Sequence, residues 1–469
     1  MNIKVKLSDN YILATILSIL ILFVFFLNIH NQSSQSDNVY VTAQRLIYEQ
    51  DYQKAQEMYE NIISNNPLDP AAFLKISEIY ALKGNYTEAI NFLLKSSEGF
   101  TDNTLFLAQL PNYYYLSRNY EKAVETGYKY LSLKPDDSNV QTIIVNSLLV
   151  LSKYQQAADF LATYQDINLN EKNLFIKNIL DLYYKKLTTT GTVTFKDNTI
   201  NNLFLKIENN ILDYQNSDKK IFASINITYE LLQENYIELA KPFSEEIISL
   251  NNYLDFGYYY KGLILLKLGQ FEESEKLFSK ALDIKKDSTD YTVLLLASQI
   301  AQDKIDSVGI TLLKLDKYLT ESDKYKLSEL LKLANDYKKT NLGLKIFQRY
   351  ENYLNDDLVS LYLYIKFKAL NNDYDNLLED INQIYSESYY LNDVQKCVLL
   401  SIKGYVIAKT TNLKAGKELV IQALNLDTHS SFGYYYLAQI NKLEKDNNSY
   451  NLNITEAKKF DYTNEFIYE

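Results

Sequence analysis

The side chains that could carry chemistry are few. Three carboxylate pairs, Asp136-Asp137, Glu272-Glu273 and Asp356-Asp357, are the first candidates for acid–base work or for holding calcium. Acid–base catalysis needs two carboxyls in unlike surroundings, and a calcium loop needs oxygen ligands at alternating positions around a glycine. No pair has a calcium-loop spacing. All fall at turns or helix starts, where acidic residues cap a helix and complement its dipole. Cys397 is the one cysteine, which excludes an internal disulfide and a thiolate cluster for zinc. It begins an expected helix with no histidine nearby, so it reads as a buried structural thiol. His30 and His429 are the only histidines and stand far apart; His429 falls in a turn and is expected at the surface. The expectation is a protein that is not an enzyme, with no catalytic residues, no cofactor and no metal.

What remains is aromatic. Phe256-Gly257-Tyr258-Tyr259-Tyr260 recurs as Phe432-Gly433-Tyr434-Tyr435-Tyr436, and Tyr113-Tyr114-Tyr115 is a shorter relative. Tyrosine combines a large apolar body with a polar tip, which suits contact surfaces. The chain holds 43 Tyr and no Trp, so much of this richness reads as compositional drift, and packing between helices is the competing role for each ring.

The elements that must position these rings are helical. With 12 Gly and 5 Pro in 469 residues, the chain lacks the tight turns a sheet-rich fold requires. A 47% hydrophobic content supports a packed interior, and the length suits several domains or a repeat array. The net charge of −11, with no dense Lys/Arg run, argues against nucleic acid.

Self-similarity is explicit. Gln50-Asp51-Tyr52-Gln53-Lys54-Ala55, Gly84-Asn85-Tyr86-Thr87-Glu88-Ala89, Arg118-Asn119-Tyr120-Glu121-Lys122-Ala123 and Ser152-Lys153-Tyr154-Gln155-Gln156-Ala157 place Tyr and Ala in register every 34 residues. These signatures resemble the tetratricopeptide repeat, a 34-residue antiparallel helix pair with small residues at positions 8 and 20. Small side chains there let two helices approach closely while larger ones fill the gaps. Pro67 and Pro135 match the helix-ending proline at position 32, and Thr101 departs from it. In this register the units are 36–69, 70–103, 104–137 and 138–171, then 255–288, 397–430 and 431–464. Degenerate copies are expected to begin near 220, 289, 323 and 358, with Leu239 and Leu377 large for position 20. Residues 172–219 read as an enlarged repeat with an inserted loop around Thr188–Asp197 and a hinge.

The resemblance implies an all-α fold, a right-handed α-solenoid of about eleven to twelve helical-hairpin repeats whose first helices line a concave groove. Positions 2, 5, 9 and 12 of those helices would face inward, putting Phe256, Tyr259, Phe432, Tyr435, Asn112 and Tyr115 toward the groove. Tyr258 and Tyr434, at position 4, would pack between helices. One branch of the family grips peptide carboxylates through Lys-x-x-x-Asn; Lys206–Asn210 and Lys368–Asn372 have that spacing, but the first lies in the insert and the second runs into a turn.

Ahead of the array, residues 11–29 are uncharged and almost wholly apolar. As a helix they would rise about 28 Å, the hydrocarbon thickness of a bilayer. Lys4 and Lys6 precede the run and no Lys or Arg follows before Arg45, which favours a cytoplasmic N-terminus and an exported array. No small-x-small cleavage site follows, so an uncleaved anchor is expected. The expected organisation is a cytoplasmic 1–10, a transmembrane helix 11–29, a flexible spacer 30–38, an N-terminal array 39–171, the irregular 172–219 and a C-terminal array 220–469. The expected function is a scaffold for protein partners on the exported side of a bacterial inner membrane, serving envelope assembly, secretion or folding. The alternative is an accessory or glycan-binding module whose groove tyrosines stack on cell-wall sugars.

Overall fold

The computed structural model describes residues 39–49, 51–164, 169–184, 194–210, 213–214, 217–386, 390–461 and 465–466. The expected membrane segment 11–29, its flanks and residues 188–193 of the inserted loop lie outside these. Among the described residues every regular element is helical, and none is long and apolar enough to cross a membrane.

The chain divides into two compact units, Met1–Phe106 and Leu107–Glu469. In the first, α1 (39–48) and α2 (Tyr52–Asn65) precede α3 (Pro70–Leu82) and α4 (Tyr86–Ser97). Ala43, Ala55, Ser77 and Ala89, the position 8 and 20 residues of two successive repeats, are fully buried. A larger side chain at any of them would push the helix pair apart.

Helix α5 (Thr104–Leu116) crosses the division, and the second unit continues with α6 (Tyr120–Leu131), α7 (Ser138–Val150), α8 (Tyr154–Ala162), α9 (Glu171–Tyr183) and α10 (Asn198–Glu208). Next come α11 (Lys220–Gln233), α12 (Ile237–Leu250), α13 (Asp255–Lys267), α14 (Phe271–Ile284), α15 (Thr289–Ala301) and α16 (Ile305–Leu315). The last are α17 (Lys324–Asp336), α18 (Thr340–Arg349), the short α19 (Glu351–Leu354), α20 (Leu358–Leu370), α21 (Leu377–Ser386), α22 (Asp393–Thr410), α23 (Leu413–Leu426), α24 (Ser431–Glu444) and α25 (Asn447–Phe460). Helices thus start at Lys220, Thr289, Lys324 and Leu358, where the degenerate repeats were expected. The irregular 172–219 lies inside the second unit, held by a cluster in which Phe175 meets Phe195, Phe204 and Tyr236 at 4.8–6.4 Å.

One turn explains why the degenerate copies still fold as hairpins. Two residues past the end of eight first helices the backbone is left-handed, at Gly84, Arg118, Ser152, Asn235, Gly269, Asp303, Lys338 and Asn372. In each, the next N–H reaches back five residues, as Asn85 to Tyr80 (2.9 Å), Lys339 to Ala334 (2.7 Å) and Asp373 to Lys368 (2.9 Å). This Schellman closure satisfies carbonyls that the helix end leaves without partners. It is a backbone device, so it persists where Asp303 or Lys338 replaces glycine, at a strain that the paired hydrogen bonds offset.

The acidic turn residues cap the following helices. The Asp137 carboxylate accepts from the Asn139 and Val140 N–H groups, and Asp357 accepts from the Ser360 N–H. These contacts account for the carboxylate pairs of 136–137 and 356–357 without chemistry.

Candidate functional site

Three surfaces receive the residues singled out by the sequence, and the structure treats them differently. The first involves Asn112 and Tyr115 on α5. Helix α12 packs on α7, and its polar residues engage α5, α7 and α8 of the earlier repeats. The Tyr115 hydroxyl donates to Glu238, and the Tyr154 hydroxyl donates to Glu245 at 2.5 Å. Buried Lys241 donates to the Val150 carbonyl at 2.5 Å, and Phe243 meets the Tyr183 ring at 5.4 Å. Burial, then the facing carboxylates, push the Tyr115 and Tyr154 phenols well above their ordinary range; burial depresses the Lys241 ammonium. Tyr115 is therefore committed to a helix of its own chain, and Asn112 beside it is half-buried.

The second surface is an open cavity of about 310 Å³ where α11, α13 and α15 meet. Phe256 and Tyr259 line it together with Tyr229, Tyr260, Lys285 and Tyr291. Tyr259 stacks on Tyr291 with centroids 5.3 Å apart, and the Tyr291 hydroxyl donates to Asp255 at 2.7 Å. That bond pins one ring of the stack and leaves the other resting on it. Burial pushes the Tyr260 phenol up to about 12 and raises those of Tyr259 and Tyr291, so these three hydroxyls are neutral hydrogen-bonding groups at physiological pH. Phe256 is 42% exposed at the rim of this cavity. Sequence reasoning missed Tyr229 and Tyr291, which are isolated tyrosines in a tyrosine-rich chain and carry no pattern.

The third surface involves Phe432 and Tyr435. The inward direction does not make Phe432 accessible: it is only 4% exposed, because Phe466 closes over it at 4.7 Å. Tyr435 stacks on the same Phe466 at 4.0 Å and 17°. The Asp461 carboxylate, at the end of α25, accepts from the Glu465 and Phe466 N–H groups. The position-4 residues are half-buried in both segments: Tyr434 stacks on Phe460, while the Tyr258 hydroxyl reaches the Asn252 carbonyl.

The remaining candidates are placed without a ligand role. Cys397 is fully buried and burial raises its thiol, which suppresses the reactive thiolate. His429 is exposed, edge-on to Phe460 at 4.8 Å. Lys206 pairs with Glu230 at 3.1 Å and Lys368 is buried against the Asp375 carbonyl, so neither Lys-x-x-x-Asn spacing forms a clamp. Among the described residues no cluster of His, Cys, Asp and Glu is arranged to hold a metal.

Comparison with known proteins agrees with the helix pairs at two places. Tetratricopeptide repeat models match residues 40–97 and 256–288. A search of curated proteins gives no match. Among solved structures, yeast Tom70 is similar at 18% identity over 84% of this chain and 92% of that one, with a TM-score of 0.31. A tetratricopeptide repeat protein from Parabacteroides merdae is similar at 15% identity over 56% and 98%, with a TM-score of 0.32. The Cut9-Hcn1 hetero-tetramer of the APC/C is similar at 12% over 91% and 93%, with a TM-score of 0.35. The sequence matches are confined to these two stretches: residues 40–97 and 256–288 match tetratricopeptide repeats, units that in general mediate protein–protein interaction.

Proposed function

We propose that the protein is a non-catalytic scaffold that binds a protein partner at the aromatic cavity of α11, α13 and α15. The observation that carries this reading is Phe256: a large ring left 42% exposed beside a stacked tyrosine pair, in a cavity that none of the described residues fills. A ring in that position contributes little to the folded state and much to a contact that covers it. The apolar run at 11–29 and the lysines before it support a single-pass anchor in a bacterial inner membrane, with the array exported to serve envelope assembly, secretion or folding.

Two experiments test this. Full-length Phe256→Ala should lose at least about tenfold in partner affinity, the size of a contact hot spot, with its melting temperature nearly unchanged. Capture of envelope proteins and of purified wall polymer is measured in parallel. If Phe256→Ala leaves protein capture intact, or if only the polymer is retained, the reading fails. For the topology, a reporter fused after residue 40 should behave as exported, and cytoplasmic reporter activity would refute the orientation.

A further inference from the structure

The third surface holds more than an aromatic cover. Glu465 and Phe466 sit on it as a pair, each met by a different chemistry. Phe466 lies flat on Tyr435 and edge-on to Phe432. The Glu465 carboxylate is met by the Lys366 ammonium, 2.9 Å from both of its oxygens. Lys366 is itself only 7% exposed, donates to the Asn335 side chain at 2.9 Å and lies over the Phe432 ring at 5.5 Å. A lysine placed so deeply is costly unless an anion completes it. Beside the pair, a cavity of about 360 Å³ continues along Lys338, Asn341, Asn371 and Asn372, which offer donors and acceptors to an extended backbone. Among the described residues, the Glu465-Phe466 pair fills one end of this face and none fills the rest.

We propose that this face is a peptide site that reads a carboxylate followed directly by an aromatic side chain, and that Glu465-Phe466 occupies it in cis. The partner is an extended segment of another protein carrying that acid–aromatic pair, which takes the face by displacing the chain's own. Lys366 reads the acid, the Phe432–Tyr435 floor reads the ring, and the amides beyond receive the flanking backbone. The tethered pair competes at high effective concentration, so an external segment gains access only when it outmatches the tether or when the pair is released. The site is separate from the cavity at Phe256, and its failure would leave that reading untouched.

The test uses the full chain and a labelled peptide with the sequence of residues 461–469, followed by fluorescence anisotropy. Phe466→Ala should bind the peptide at least about tenfold more tightly than wild type, because the competent state is no longer masked. Adding Lys366→Met to Phe466→Ala should abolish that gain, and a peptide with Ala in place of its phenylalanine should not bind. Glu465→Gln, which removes the charge and keeps the ring, is the second unmasking variant; it should raise affinity less than Phe466→Ala does, with melting temperature recorded for all. Equal binding by wild type, Phe466→Ala and Glu465→Gln would overturn the proposal, as would binding indifferent to Lys366→Met. A wild-type dimer that dissociates on Phe466→Ala would also overturn it, in favour of a second copy of the chain as the occupant.

Discussion

Gly416 in α23 is the glycine pressed most closely against the backbone of a neighbouring helix. It stands at position 20 of the repeat 397–430, facing Gly404 at position 8 on α22. A Cβ added at 416 would lie 2.3 Å from the Gly404 carbonyl oxygen, 2.5 Å from the Ala408 nitrogen and 2.6 Å from the Ala408 Cβ. Two of those atoms are backbone and cannot rotate away, so α22 and α23 must separate along their length. Overpacking of this kind costs about 1–3 kcal/mol, and fixed backbone neighbours place it near 3. Alanine recovers about 1 kcal/mol of helix propensity, leaving a net loss of about 2 kcal/mol. Gly309 in α16 supplies the control: a Cβ there meets nothing within 4 Å, so the same substitution should stabilise by up to about 1 kcal/mol. Because repeat arrays open locally, amide hydrogen exchange is the suitable assay. Gly416→Ala should accelerate exchange in α22 and α23 by about thirtyfold, and Gly309→Ala should slow it in α16. If both substitutions move exchange in the same direction, the close approach at 404–416 is not what spaces these helices.

Tyr115→Phe and Tyr154→Phe each remove a hydrogen bond to a carboxylate on α12 and should cost about 1.5–3 kcal/mol. The loss should appear as faster exchange in α12 while α24 and α25 are unchanged; a uniform response would refute the local assignment. Asp323 gives a pH test: burial works to raise its carboxyl, but hydrogen bonds from Lys326 and Thr320 outweigh that and hold it at about 2. A depressed folded value means the stabilisation is fully present above the unfolded carboxyl value of about 4 and is lost as pH falls toward 2. Denaturation midpoints should therefore drop across that window in the wild type, and Asp323→Asn should flatten the drop.

The helix pairs were legible because their cause is local. A 34-residue recurrence of Tyr and Ala places each small residue opposite the next, and Ala43, Ala55 and Ala89 are buried as that spacing requires. The degenerate units were located from weaker marks, such as Asn235-Tyr236, since the closing turn depends on backbone hydrogen bonds that Asp303 or Lys338 can also host. The polar candidates were equally local: Asp137 and Asp357 cap the helices they precede.

Accessibility was not legible. Position within a repeat says which way a side chain points from its helix, and for Phe256 that direction leaves the ring 42% exposed while for Phe432 it ends under Phe466. Tyr115 points to the same kind of face and meets Glu238, a residue more than three repeats onward. The sequence alone determined the repeat, its register, the capping acids, the burial of Cys397 and the surface position of His429. Only the tertiary structure decided which aromatic faces are filled by α12, which by Glu465-Phe466, and which stay open. A 34-residue period encodes contacts between neighbouring helices; contacts that skip repeats depend on how small rotations and the 172–219 segment accumulate, and no single repeat carries that sum.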